Sequence, residues 1–225
     1  FTLGVAVVTL LSIDYIKKYG MYFGEYYIIL QTSVLGMMLM AGAKDLFVIF
    51  LGLEIMSVSF YILAGKKKKK AGANEASLKY FLLGAFATGF IVYGIALIYG
   101  SAHTTSIDFI TSNFAELSKN LIFISGVLLF LIGFSFKIAA FPFHMWVPDV
   151  YEGSPTTVAA LFSTGGKAAA FSAILATLFA LFNGPNGNLF APYLAVISVL
   201  SMFYGSIVAI AQTNIKRMLA YSSIS

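Results

Sequence analysis

The chain has 225 residues, 60% of them hydrophobic and only 10% charged, with a mean hydropathy of +0.90 and a formal net charge of +5. Soluble domains are about half apolar and about a quarter charged, so this composition excludes an ordinary soluble domain and points to an all-α, polytopic transmembrane helix bundle. With no cysteine among the 225 residues, disulfides, cysteine-ligated iron–sulfur clusters and thiolate zinc sites are excluded from the chain.

In chain order, apolar stretches predict helices at residues 1–13, 26–43, 46–64, 78–99, 121–147, 156–182 and 193–212, with another opening near Met218. At about 1.5 Å per residue, most are long enough to cross a hydrocarbon core of roughly 30 Å. The first lacks a basic region before it and a small-residue cleavage site after it, so it reads as a helix cut short rather than a cleavable signal sequence. The stretch near Met218 likewise halts at Ser225. The expectation is one transmembrane domain, residues 1–225, that is a fragment of a longer subunit: about six full spans with partial helices at both ends. Gly84, Gly89, Gly94 and Gly100 recur through one span and are expected to let neighbouring helices approach closely.

Lys17, Lys18, lysines 66–70, Lys79, Lys216 and Arg217 fall in alternate gaps, while the other gaps hold only Lys44 and Lys119. The positive-inside rule places the first set in the cytoplasm; Asp149 and Glu152 lie on the same side in a loop without a base. This placement of the basic residues fits topology signals, with anionic lipid as a further contact for lysines 66–70, and not nucleic-acid binding.

Once loop charges are set aside, Glu54, Lys137 and Lys167 remain deep inside apolar spans. An ionised group at that depth costs about 2.5–3.5 kcal/mol on insertion scales, so it faces the bundle interior or water and needs a partner. Lys137 is followed by Pro142, which cannot donate to the carbonyl of Ile138, so a break is expected between Lys137 and Pro142. Non-helical backbone at membrane depth is tolerated where it is buried in protein or lines a hydrated cavity, as an ion path would require. His144, near the cytoplasmic interface, is a candidate relay because free imidazole titrates near neutrality; it is equally readable as a satisfied core histidine. Gly165 and Gly166 before Lys167 would admit a neighbouring backbone or water. The GGK string is not a phosphate loop, since Leu161 and Ala168 stand where that motif needs glycine and a hydroxyl. A haem site would want facing histidines within spans, whereas His103 falls in an outside loop.

Burial disfavours the charged form of a lysine and a neighbouring carboxylate favours it, so moving the carboxylate loads or releases a proton. The expected arrangement is a Glu54–Lys137 pair, with Lys167 receiving the proton along a hydrated line.

Four segments carry a family resemblance: LGLEIMSVSFYIL around Glu54, KYFLLGAFATGFIVYGIALIYG, FKIAAFPFHMWVPDVYEGSPTTVAALFSTGGKAAAF and QTNIKRMLAYSSIS. The chain resembles the antiporter-like membrane subunits of respiratory complex I, the proton-pumping NADH:quinone oxidoreductase. LKYFLLGAFATGF and VPDVYEGSPT are most similar to subunit N, and multisubunit sodium/proton antiporter subunits are similar too. The resemblance implies that Glu54 is the family's fifth-helix glutamate, Lys137 the lysine of its discontinuous seventh helix and Lys167 its eighth-helix lysine. It implies further that the first of two inverted five-helix repeats is whole and the second partial. Flavin, iron–sulfur clusters, NADH and quinone would then belong to partner subunits, with no cofactor in this chain, in the inner membrane of a prokaryote. An antiporter subunit without a redox partner is the alternative, and a passive scaffold whose buried charges fix helix register is the competing reading.

Overall fold

The structure, a computed structural model, describes residues 1–20, 24–67, 70–182 and 189–225, and within 179–182 only the helical backbone. The described residues form twelve α-helices and one π-helical turn: α1 (Thr2–Lys18), α2 (Gly24–Gly42), α3 (Leu46–Ala64), α4 (Ala71–Ala102), α5 (Ile107–Ser112), α6 (Phe114–Leu117), α7 (Leu121–Lys137), α8 (Val147–Gly153), α9 (Thr156–Leu161), the π turn (Phe162–Gly166), α10 (Lys167–Phe182), α11 (Ala191–Ile210) and α12 (Ile215–Ser222). This is an all-α polytopic membrane helix bundle. α3, α4, the continuous run Thr156–Leu178 and α11 are each long and apolar enough to cross a membrane, and α7 is a shorter apolar helix.

Lipid tails are as apolar as leucine, so close backbone approach rather than hydrophobic burial alone binds such helices together. α2 and α3 meet where a Cβ on Gly36 would lie 2.6 Å from the Gly52 carbonyl, and α4 meets α7 where a Cβ on Gly94 would lie 2.7 Å from that of Gly126. The other glycines of α4 divide: Gly84 faces the Tyr61 ring, while a Cβ on Gly89 or Gly100 would meet nothing within 4 Å. Packing therefore accounts for two of the four glycines singled out from the sequence. Polar cross-links assist; the hydroxyl of buried Tyr26 shares hydrogen bonds with Ser12 (2.9 Å) and Thr157 (3.2 Å), tying α1, α2 and α9.

α4 is longer than predicted, 32 residues, because Ala71, Ala73 and Ala76 extend a helix whose apolar stretch alone was visible at 78–99. The stretch 121–147 breaks as expected, but at its lysine: α7 ends at Lys137, turns occupy 138–146, and α8 is a separate short helix. The stretch 156–182 is continuous but carries the π turn directly before Lys167.

Lys66, Lys67, Lys70, Lys79, Lys216 and Arg217 share one end of the bundle. Lys67 donates to the Tyr15 hydroxyl (2.6 Å), Lys66 pairs with Glu25 (3.3 Å), and Lys79 and Arg217 both pair with Asp149 (2.8 and 2.9 Å). Arg217 also pairs with Glu152 (3.0 Å), so the acidic loop that lacked a base in sequence finds its bases on α4 and α12. Lys68 and Lys69 lie outside the described residues. At the opposite end Asp45 caps α3 and accepts from the Thr105 hydroxyl (2.6 Å).

Candidate functional site

α3 presents Glu54, Ser57 and Tyr61 at helical spacings that share one face. Glu54, half-buried, accepts from the Thr88 hydroxyl of α4 at 2.8 Å. Lys137, the last residue of α7 and only 7% exposed, donates to the Ser57 hydroxyl at 3.0 Å and the Tyr61 hydroxyl at 3.2 Å, with its ammonium 5.8 Å from the Tyr61 ring centroid. The lysine is thus held on the face of α3 that bears Glu54, one and two turns along from the carboxylate. No carboxylate oxygen among the described residues lies within 4.0 Å of Lys137 or Lys167, so the expected Glu54–Lys137 pair is a shared polar face rather than a direct ion pair.

The break after α7 frees backbone groups that a dry interior would penalise. Several of them find partners: the Phe136 carbonyl accepts from the Ala139 amide and from the Trp146 indole (3.0 Å), the Ser135 carbonyl from the Ala140 amide (2.8 Å), and the Phe141 amide donates to Ser201 of α11 (2.9 Å). Trp146 in turn stacks on Tyr80, ring centroids 4.4 Å apart, and Tyr80 sets its edge against Tyr61 at 4.8 Å. The loop beyond the break thereby braces the tyrosine that receives Lys137.

Lys167 begins α10 at the end of the π turn, which shifts the helical register by one residue. It donates to the carbonyl oxygen and the hydroxyl of Ser223, just past α12, and it lines a cavity of about 440 Å³ together with Ser135, Ser198 and Ser201. Gly165 and Gly166 make room not for backbone or water but for side chains: Met37 sulfur faces Gly165, and the Phe60 ring faces Gly166. Phe60 packs on Phe162 (4.6 Å), which also contacts Tyr80 (5.7 Å), so aromatic rings rather than hydrogen bonds connect the surroundings of the two lysines among the described residues. His144 is buried between Phe141 and Tyr204, its Nδ1 without a hydrogen-bond partner among the described residues and with no bond to either lysine. Sequence reading missed Ser57, Tyr61, Thr88 and Ser223 as partners; only the spacing of Ser57 and Tyr61 from Glu54 carried a signal.

The sequence profile described as "NADH:quinone oxidoreductase/Mrp antiporter, TM" matches residues 43–225. The chain belongs to this NADH:quinone oxidoreductase/Mrp antiporter transmembrane family. Among relatives of this family, the NADH-quinone oxidoreductase subunit N 1 of Chloroherpeton thalassium is 48% identical over 228 residues, covering 100% of this chain and 48% of that protein. The chain spans about half the length of the curated relatives it matches. Among solved structures, a chain of respiratory complex I from Thermus thermophilus is 38% identical with a TM-score of 0.76, covering 89% of this chain and 42% of that one. A chain of the membrane-bound sulfane sulfur reductase, an archaeal respiratory membrane complex, is 29% identical with a TM-score of 0.87, covering 100% and 46%.

Proposed function

We propose that this chain is part of a proton-translocating membrane-arm subunit of an NADH:quinone oxidoreductase, most similar to subunit N. The observation that carries the reading is Lys137: a buried ammonium at a helix break, held by hydroxyls on the same face of α3 as Glu54. A cation kept there by neutral hydroxyls and a nearby carboxylate is sensitive to small movements of that carboxylate, which is what loading and releasing a proton requires. Glu54, Lys137 and Lys167 are the transfer groups, with His144 a candidate relay. Redox chemistry in partner subunits, which would hold flavin, iron–sulfur clusters, NADH and quinone, drives proton movement outward. The basic end of the bundle, with Lys66, Lys216 and Arg217, faces the cytoplasm of a prokaryotic cell, and the other membrane-arm subunits are the protein partners. The names of the relatives favour this reading over a sodium/proton antiporter subunit.

The test is proton pumping coupled to NADH oxidation in inverted membrane vesicles, using the full-length subunit with Lys137→Ala or Glu54→Ala. The expected result is normal assembly with pumping and coupled turnover reduced by about tenfold or more, as for loss of a group worth at least about 1.4 kcal/mol in the transfer step. Normal pumping in both variants would overturn the assignment. Loss of assembly with unchanged pumping per assembled complex would favour the scaffold.

A further inference from the structure

A second charged region lies at the basic end, away from the buried lysines. A cavity of about 480 Å³ opens between the start of α4, α8 and α12, lined by Lys67, Lys70, Lys79, Lys216, Arg217 and three carboxylates, Glu75, Asp149 and Glu152. The carboxylates are taken: Lys79 pairs with Glu75 and Asp149, Arg217 with Asp149 and Glu152. What remains is a trio of lysines without a carboxylate within 4.0 Å among the described residues. Lys67 donates to the Tyr15 hydroxyl, and Lys216 to the backbone carbonyls of Ser154 (2.7 Å) and Glu152 (3.4 Å). Among the described residues, no side-chain hydrogen bond or ion pair engages Lys70.

We infer that Lys67, Lys70 and Lys216 form a binding site for a phosphate-bearing anion, and that its occupant is the headgroup of an acidic phospholipid. The five bases lining this partly enclosed cavity outnumber its three carboxylates by two, and an anion would be stabilised there more than at an open surface. The ammonium of Lys216 is disfavoured chiefly by burial; Tyr15 and Glu152 favour it, while Lys67 and Lys70 add repulsion. Two observations favour a lipid over soluble phosphate. Lys216 also lines a neighbouring, mostly apolar cavity of about 340 Å³ with Ala159, Ala160 and Leu219, room for the start of an acyl chain. The rings of Tyr15 and Tyr19 lie beneath Lys67 at 5.1 and 4.6 Å, the amphipathic side chains that settle at headgroup level.

The experiment is native mass spectrometry of the full-length protein purified in detergent, stripped of lipid and titrated with phosphatidylglycerol, phosphatidylcholine or inorganic phosphate. Phosphatidylglycerol is expected to bind in preference to phosphatidylcholine, more weakly as salt rises, with about fivefold lost per lysine replaced. The triple variant Lys67→Gln, Lys70→Gln, Lys216→Gln should lose about a hundredfold. Lys70→Gln alone removes no side-chain hydrogen bond or ion pair among the described residues and should still show its share, whereas Lys44→Gln at the opposite end should not. Binding of inorganic phosphate with the same lysine dependence, and no preference between the two lipids, would keep the anion site and replace its occupant by a soluble phosphate. Lipid binding that ignores headgroup charge together with no phosphate binding, or anion binding unchanged in Lys70→Gln and in the triple variant, would overturn the proposal.

Discussion

Tyr61 joins the two halves of the site: its hydroxyl accepts from Lys137, and its ring meets the Tyr80–Trp146 stack beyond the helix break. Tyr61→Phe keeps the ring packing and removes one oxygen from the ammonium, leaving Ser57 as the remaining side-chain acceptor. A hydrogen bond to a charged group contributes about 1.5–3 kcal/mol, so coupled pumping should fall by roughly ten- to a hundredfold with assembly retained. Vesicle pumping assays would show this, and an unchanged rate would mean that Ser57 alone suffices to hold the lysine. Glu54, Lys137 and Lys167 were legible from depth alone, because each is an isolated charge within an apolar run. Their partners were not. Hydroxyls in apolar helices commonly bond to their own backbone, as Ser59 does to Ile55 and Thr177 to Ala173; Ser57 differs only in its spacing from Glu54, and nothing in the sequence marks Thr88 as different.

Between helices, the contact of α4 with α7 rests on two glycines facing each other. Gly94→Ala would place a methyl 2.7 Å from the Gly126 carbonyl and the Phe130 amide, forcing the helices apart at a cost of about 1–3 kcal/mol. Gly89→Ala, a few residues before it on the same helix, meets open space and should leave stability within about 0.5 kcal/mol. Unfolding of the two purified variants in denaturing detergent should separate them, and equal midpoints would show that the close approach is not stabilising. Spacing alone could not rank these glycines, since α4 is apolar nearly all round and only its neighbours define its inner face. The break near Pro142 was legible for the opposite reason: proline removes a backbone donor and clashes with the preceding turn, a local signal readable without knowing the neighbours. The π turn before Lys167 has no such residue signature; it lies where Phe162 and Gly166 seat against Phe60.

Across the molecule, the basic end is clasped by Asp149, which joins α4 through Lys79 and α12 through Arg217. Lys79 first, then Arg217, holds the Asp149 carboxyl below its ordinary value of 3.8. A lowered carboxylate stabilises fully above the unfolded value and loses that contribution as pH falls through the folded one. The thermal midpoint should therefore drop more in the native protein than in Asp149→Asn as pH goes from about 4 to about 3. The difference should be small and should shrink with salt, since the pair is a third exposed; parallel curves for the two proteins would show that the clasp contributes nothing. The sequence placed these charges on one side but not in one cluster, because their pairing joins residues 68 and 70 positions apart. The brace over the helix break has a different use. Trp146 is the only tryptophan in the chain, and it lies against Tyr80 with its indole nitrogen bonded to the end of α7. Within this chain its fluorescence is therefore a built-in optical reporter of the backbone beside Lys137, and a change in its emission would report movement at the break without any added label.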